Sequence, residues 1–128
     1  MRLLGIDYGR KRIGLAFSEG FLPSPLSVIL VKTQVQVLTD IKRDCQELGI
    51  EKLVMGISQG ILEKEMKAFG EKLSTQMGIP IVFIEEAFTS KTAIRKMVEG
   101  NTTQKKRKTM EDATAAALIL ERFLEEAL

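Results

Sequence analysis

Leu3-Leu4-Gly5-Ile6-Asp7-Tyr8-Gly9-Arg10-Lys11-Arg12-Ile13-Gly14-Leu15-Ala16-Phe17 is the stretch that decides the fold. Leu3 to Ile6 is an apolar run that stops at a carboxylate, Asp7. After the polar connection Tyr8 to Lys11, Ile13, Leu15 and Phe17 alternate with Gly14, Ala16 and Ser18, the period of two that marks a half-buried strand. Two strands joined by so short a link pair as an antiparallel hairpin. Gly14 and Ala16 leave one face of the second strand thin, which invites close packing on it.

Downstream, Pro23 and Pro25 bound a loop and Leu26 to Val31 reads as a third strand. From Thr33 the period becomes helical, with Leu38, Ile41, Cys45 and Leu48 on one side and Gly49 as the C-cap. Leu53-Val54-Met55-Gly56-Ile57 is an unbroken apolar run, as expected of a parallel strand covered on both faces. Leu62 to Met77 is a second amphipathic helix ended by Gly78. Pro80 introduces a further buried run, Ile81 to Ile84, which stops at Glu85-Glu86. Thr89 or Ser90 caps a third helix ending at Gly100, and Asn101 to Lys108 reads as a polar, basic loop. Thr109 then starts a last helix through Leu124. The order β-β-β-α-β-α-β-α-α predicts a single α/β domain over residues 1–128. Its sheet has five strands, three antiparallel and then two parallel, with helices on both faces.

Composition narrows the chemistry. The 128 residues contain no histidine and one cysteine, Cys45. This excludes a Ser-His-Asp triad, a Cys-His nucleophile and the usual nitrogen or sulfur zinc sites. One cysteine forms no internal disulfide, and no apolar run nears the roughly 18 residues of a membrane span, so the expected setting is the cytoplasm, without membrane contact. Net charge is only +2, yet seven of the 19 positive residues fall in two runs, Arg10-Lys11-Arg12 and Lys105-Lys106-Arg107-Lys108. Such runs are either solvated or contacts for a nucleic-acid backbone.

The chain has four aspartates. Asp40 and Asp44 lie one turn apart on the polar side of the first helix. Asp7 ends a central strand, where a carboxylate is costly unless it is paired or ligates a cation. Glu86 leaves the sheet at the same carboxyl edge. Asp112 falls in Thr109-Met110-Glu111-Asp112, which reads as a capping box. The small residues Ala113, Ala115, Ala116 and Ala117 also let this helix lie close to the sheet, bringing Asp112 to that edge. Three carboxylates meeting there repel one another unless divalent cations intervene, and magnesium or manganese prefers such oxygen ligands. Two ions about 4 Å apart activate a water and stabilise the leaving oxygen in phosphodiester hydrolysis, with no need of histidine.

With these residues in view, the sequence resembles the YqgF (RuvX) family of the ribonuclease H-like superfamily over nearly its whole length. Gly5 to Ala16 is similar to the family's opening motif almost residue for residue. Val54 to Ser58 stands where the family has a strand ending in Gly-Leu-Pro. Glu85-Glu86-Ala87-Phe88-Thr89-Ser90 resembles Asp-Glu-Arg-Leu-Thr-Thr, and Lys105 to Leu120 resembles the family's basic loop and final helix. Ala87 replaces an arginine of that pattern, Glu85 an aspartate and Ser58 a proline. The resemblance implies a ribonuclease H-like nuclease whose metal-binding catalytic residues are Asp7, Glu86 and Asp112. It further implies two Mg2+ or Mn2+ ions and a role in processing the 5′ end of pre-16S rRNA. A Holliday junction resolvase-like DNA endonuclease is the first alternative. A weakened nucleic-acid binder, suggested by Ala87, is the second. An actin-like ATPase also begins Asp-x-Gly, but that architecture uses two such domains and this chain supplies one.

Overall fold

The computed structural model describes residues 1–85 and 104–127, with backbone alone for 104–110. The strands are β1 (Leu3–Asp7), β2 (Arg12–Ser18), β3 (Ser24–Leu30), β4 (Lys52–Ile57) and β5 (Ile81–Glu85). The helices are α1 (Gln34–Leu48), α2 (Glu63–Met77) and α3 (Gln104–Glu126). They build one sheet in the order β3-β2-β1-β4-β5. The pairs β3–β2 and β2–β1 are antiparallel, and β1–β4 and β4–β5 are parallel. This is the mixed sheet that the sequence pattern predicts. All five residues of β1 are buried because helices cover both faces of this central strand.

Strand alternation sorts the core onto two sides. Leu4, Ile6, Ile13, Leu15, Leu53 and Met55 face α1 and α2, where they pack with residues such as Ile41, Cys45, Phe69 and Leu73. Leu3, Ala16, Val54 and Ile84 face α3 and meet Ala116, Ala117, Ile119 and Leu120. The second layer is thin, as the alanines of α3 and the small residues of β1 and β2 anticipate. A Cβ on Gly5 would lie 2.7 Å from the Ala116 carbonyl oxygen, and one on Gly14 would lie 2.0 Å from that of Asp112. The Thr33 hydroxyl accepts from the Gln36 N–H at 3.1 Å and starts α1. Gly49 and Gly78 end α1 and α2 at φ 64° and 65°, in the left-handed region that glycine enters without a steric penalty.

The last helix departs from expectation. α3 starts at Gln104, so Lys105, Lys106, Arg107 and Lys108 lie in its first turns and not in a loop. Glutamine, lysine and arginine all have high helix propensity, and nothing from 104 to 126 is glycine or proline. Thr109 is consequently interior to the helix, and the capping-box reading of Thr109 to Asp112 does not hold. The helix expected between Thr89 or Ser90 and Gly100 lies outside the described residues. No helix among the described residues is long and apolar enough to cross a membrane.

Candidate active site

Asp7 is the last residue of β1, and both of its cross-strand partners are glycines, Gly14 on β2 and Gly56 on β4. The α3-facing alternation of Val54 and Leu3 puts Gly56 and Asp7 on that same side. The carboxylate is therefore flanked by two positions without side chains, yet it is only 5% exposed. Over Gly14 the space is filled by the main chain of Asp112. Asp112, 105 positions further along, is thus delivered to within one strand of Asp7 and is itself 3% exposed. Its depth in the helix explains this. It sits more than two turns in from Gln104, where α3 presses on the sheet. Glu111 beside it is buried as well.

Arg12 completes the corner. It begins β2 on the same side as Gly14, and its Nε lies 2.8 Å from Asp112 Oδ2. The guanidinium side chain stays 41% exposed while the carboxylate it holds is 5% exposed. The pair therefore bridges solvent and interior.

Arg10 goes the other way. Its Nε and Nη2 donate to both carboxylate oxygens of Glu65 on α2 at 3.0–3.3 Å, and the Tyr8 hydroxyl donates to Glu65 Oε2 at 2.6 Å. The Tyr8 ring lies 5.0 Å from that of Phe69, which fixes it on the α2 side. Burial, aided by the bond to Glu65, pushes the Tyr8 hydroxyl up to about 12. The bonds from Arg10 and then Tyr8 hold the Glu65 carboxyl below its usual range. Lys11 is exposed at the tip of the turn. Of the run Arg10-Lys11-Arg12, two members are thus already engaged by carboxylates on opposite sides of the sheet.

The remaining candidates divide by what the structure describes. Lys105, Lys106, Arg107 and Lys108 are placed by backbone in the first turns of α3, upstream of Asp112. Glu86 and Ala87 lie outside the described residues. Glu86 follows Glu85, the end of β5, whose carbonyl accepts from Arg122 Nη1 of α3. Ile84 is level with Gly56, and Gly56 with Asp7, so Asp7 and Ile84 stand two strand spacings apart, roughly 10 Å. Among the described residues, no three acidic or thiol side chains converge as a metal cage.

Three features escape a reading of the sequence alone: the Arg12–Asp112 pair, the Tyr8–Arg10–Glu65 cluster, and the place of Gly56 level with Asp7. Only the last leaves a local signal, a glycine inside an otherwise apolar strand.

The donor set has a definite character. Asp7 and Asp112 offer hard carboxylate oxygens, the chain has no histidine, and its one thiol is buried in the core on the α1 side. Such oxygen donors suit a hard divalent cation.

This sheet order, with helices on both faces and carboxylates at the carboxyl edge of the central strand, defines a ribonuclease H-like fold. The family model described as RuvX, Holliday junction resolvase, matches residues 1–126. The chain belongs to that family. A Syntrophomonas wolfei protein named "Putative pre-16S rRNA nuclease" is 34% identical over 133 residues, spanning 98% of this chain and 94% of its own. A Clostridium acetobutylicum protein of the same name is 32% identical over 132 residues, spanning 97% and 98%. Thermus thermophilus RuvC in complex with a Holliday junction superposes at a TM-score of 0.59 with 16% identity, over 93% of this chain and 91% of its own. The fowlpox virus resolvase in complex with Holliday junction DNA does so at 0.65 with 11% identity, over 100% and 99%. At these identities the solved structures share the fold. Family and fold together place the chain among nucleases, hydrolases of phosphodiester bonds.

Proposed function

We propose that the chain is a divalent-metal-dependent endonuclease that processes the 5′ end of pre-16S rRNA. It acts as a single domain over residues 1–128 in the cytoplasm, a setting supported by its one buried cysteine. Asp7, Asp112 and Glu86 would hold two Mg2+ or Mn2+ ions. The observation that carries the reading is that the main chain of Asp112 lies over Gly14, the cross-strand neighbour of Asp7. Two carboxylates from opposite ends of the chain are both buried at one corner, next to positions kept free of side chains. Arg12 offsets the charge of Asp112 in the free protein, and a divalent cation bound at this corner would draw on hard carboxylate oxygens from both ends of the chain. Glu86 is assigned to the same site on the family resemblance of Glu85 to Ser90, and because in sequence it follows β5, whose Ile84 is level with Gly56, the β4 partner of Asp7.

Bound ions of this kind supply an activated water and neutralise charge on the leaving oxygen. The chain's own groups do the rest. Asp7 is fixed by the central strand and Asp112 by the helix pressed on Gly14, so neither needs to be ordered on substrate binding. Lys11 and the Lys105 to Lys108 run supply cations for the phosphate backbone.

The test incubates labelled RNA spanning the 5′ end of 16S rRNA, and a four-way DNA junction, with Mg2+, Mn2+ or EDTA. The proposal expects metal-dependent cutting of the RNA, lost in Asp7→Asn. Preferred cutting of the junction would support the resolvase alternative. Cutting that persists in EDTA or in Asp7→Asn would overturn the site.

A further inference from the structure

Arg12 has two features that are hard to reconcile with a purely structural ion pair. Its partner carboxylate is nearly inaccessible, but its own side chain is substantially solvent-exposed at the edge where a nucleic-acid strand would approach. It is also paired with Asp112, a carboxylate that the proposed function assigns to metal. Two cations cannot share Asp112 Oδ2 at contact distance without strong mutual repulsion.

We propose that Arg12 is an exchangeable counter-ion. In the free protein it neutralises Asp112, and when a divalent ion takes Asp112 the guanidinium is released to a backbone phosphate of the substrate. This rests on the reading of Asp7 and Asp112 as a cation site and adds to it a residue that couples ion loading to substrate binding.

The geometry supports each half of the exchange. Held by Arg12, Asp112 is tolerable in a buried position before any ion arrives, so α3 can pack onto Gly14 in the free protein. Arginine suits the second half, since its planar fork pairs with phosphate as readily as with carboxylate. The side chain leaves β2 where that strand starts, next to the turn carrying exposed Lys11, so a modest rotation about its own bonds moves the charge outward without shifting the backbone. Arg10 is committed elsewhere, because its Nε and Nη2 both donate to Glu65, which Tyr8 also holds. Coupling of this kind is reciprocal: if the ion frees a phosphate ligand, bound nucleic acid must tighten the ion by the same factor.

The proposal predicts a sign that a positioning role for Arg12 would reverse. Arg12→Gln removes a competing positive charge, so Mn2+ alone, titrated without nucleic acid, should bind on the order of ten-fold tighter than to the wild type. If Arg12 merely orients Asp112 for the metal, the variant binds Mn2+ more weakly. Unchanged or weaker binding overturns the proposal.

A second readout uses a labelled single-stranded RNA oligonucleotide. In EDTA, where Asp112 holds Arg12, wild type and Arg12→Gln should bind it alike. In Ca2+ the variant should bind more weakly, with a salt slope flatter by about 0.7, the share of one neutralised phosphate. Equal weakening in EDTA and Ca2+ would overturn the exchange.

Should Arg12→Gln fail to fold, the unaltered protein supplies the test by nuclear magnetic resonance. The Arg12 Nε signal, set by the Asp112 carboxylate 2.8 Å away in the free protein, should shift on adding Mg2+ as the guanidinium leaves it. A signal that stays in place while other resonances respond to Mg2+ removes the exchange and leaves the metal site intact. A spectrum in which nothing responds to Mg2+ removes the site itself, and the exchange with it.

Discussion

Gly14→Ala tests how closely the site depends on the thin layer between α3 and the sheet. The added Cβ would stand 2.0 Å from the Asp112 carbonyl oxygen, 2.3 Å from its carbon and 3.0 Å from the Ala113 nitrogen. Ordinary contact begins near 3.4 Å, so helix and strand must separate locally by about 1.4 Å. All three obstructing atoms are backbone, and no side chain can rotate away to relieve them. Overpacking of this kind costs about 1–3 kcal/mol, and the backbone obstruction puts this site at the upper end. The usual gain from removing a glycine from the unfolded chain, roughly 0.5–1 kcal/mol, offsets a part. A net loss of about 2 kcal/mol should lower Tm by on the order of 8 °C in a chain of this length. The same separation lifts Asp112 away from Asp7, so Mn2+ affinity should fall as well. Gly70→Ala is the control. Its Cβ meets side-chain atoms of Phe83 and Ile81 on the α1–α2 side, and these can yield. That variant should keep Mn2+ affinity. A Gly14→Ala protein as stable as wild type, with unchanged Mn2+ affinity, would refute the argument that helix contact at Gly14 builds the site.

Further outcomes follow from the same structure. Tyr8 is the only tyrosine and the chain has no tryptophan, so its phenolate absorbance can be titrated directly. The midpoint should lie near 12, and in Glu65→Gln it should fall toward 10 without reaching it, because burial is the larger cause. A wild-type midpoint at 10 would contradict the Tyr8–Glu65 bond. Since folding favours the protonated phenol, this contribution to stability is complete below about pH 10 and disappears as pH rises toward 12. Glu65 has the opposite sign, its contribution being present above the ordinary carboxylate range and lost as pH falls through its depressed value. Burial pushes the Cys45 thiol up to about 11, so at pH 8 only about one molecule in a thousand carries the thiolate. A soluble disulfide reagent should label it only after denaturation, and fast labelling of the native protein would contradict its place in the core. Replacing Lys105, Lys106, Arg107 and Lys108 by glutamine should weaken nucleic-acid binding and flatten its salt dependence by about 0.7–0.9 for each phosphate no longer neutralised. An unchanged slope would show those residues to be solvated.

The sheet was readable because its signals are local. Alternation in Ile13 to Phe17, unbroken apolar runs at Leu53 to Ile57 and Ile81 to Ile84, and glycines at 49 and 78 each follow from a short segment, and each element lies where its pattern puts it. The start of α3 was not readable, because Gln104 to Lys108 is at once a loop-like charge run and a set of strong helix formers. Packing of the alanine-rich continuation decided between them. Asp7 stood out as a carboxylate ending a buried run. What Arg10 and Arg12 do could not be read from adjacency. Two residues apart on a turn and strand start, they point to opposite sides of the sheet, one toward Glu65 and the other toward Asp112. Those partners lie 55 and 100 positions away, so only the closed sheet reveals them. The glycines flanking Asp7 likewise acquire meaning only from register, which makes Gly14 and Gly56 its two neighbours.

The most direct measurement is anomalous diffraction from crystals soaked in Mn2+. Density is expected at the corner between β1 and α3, bonded to carboxylate oxygens of both Asp7 and Asp112 and absent from crystals of Asp7→Asn. Manganese found only elsewhere on the molecule, or a corner that stays empty at saturating Mn2+, would contradict a metal-dependent nuclease built on those two residues.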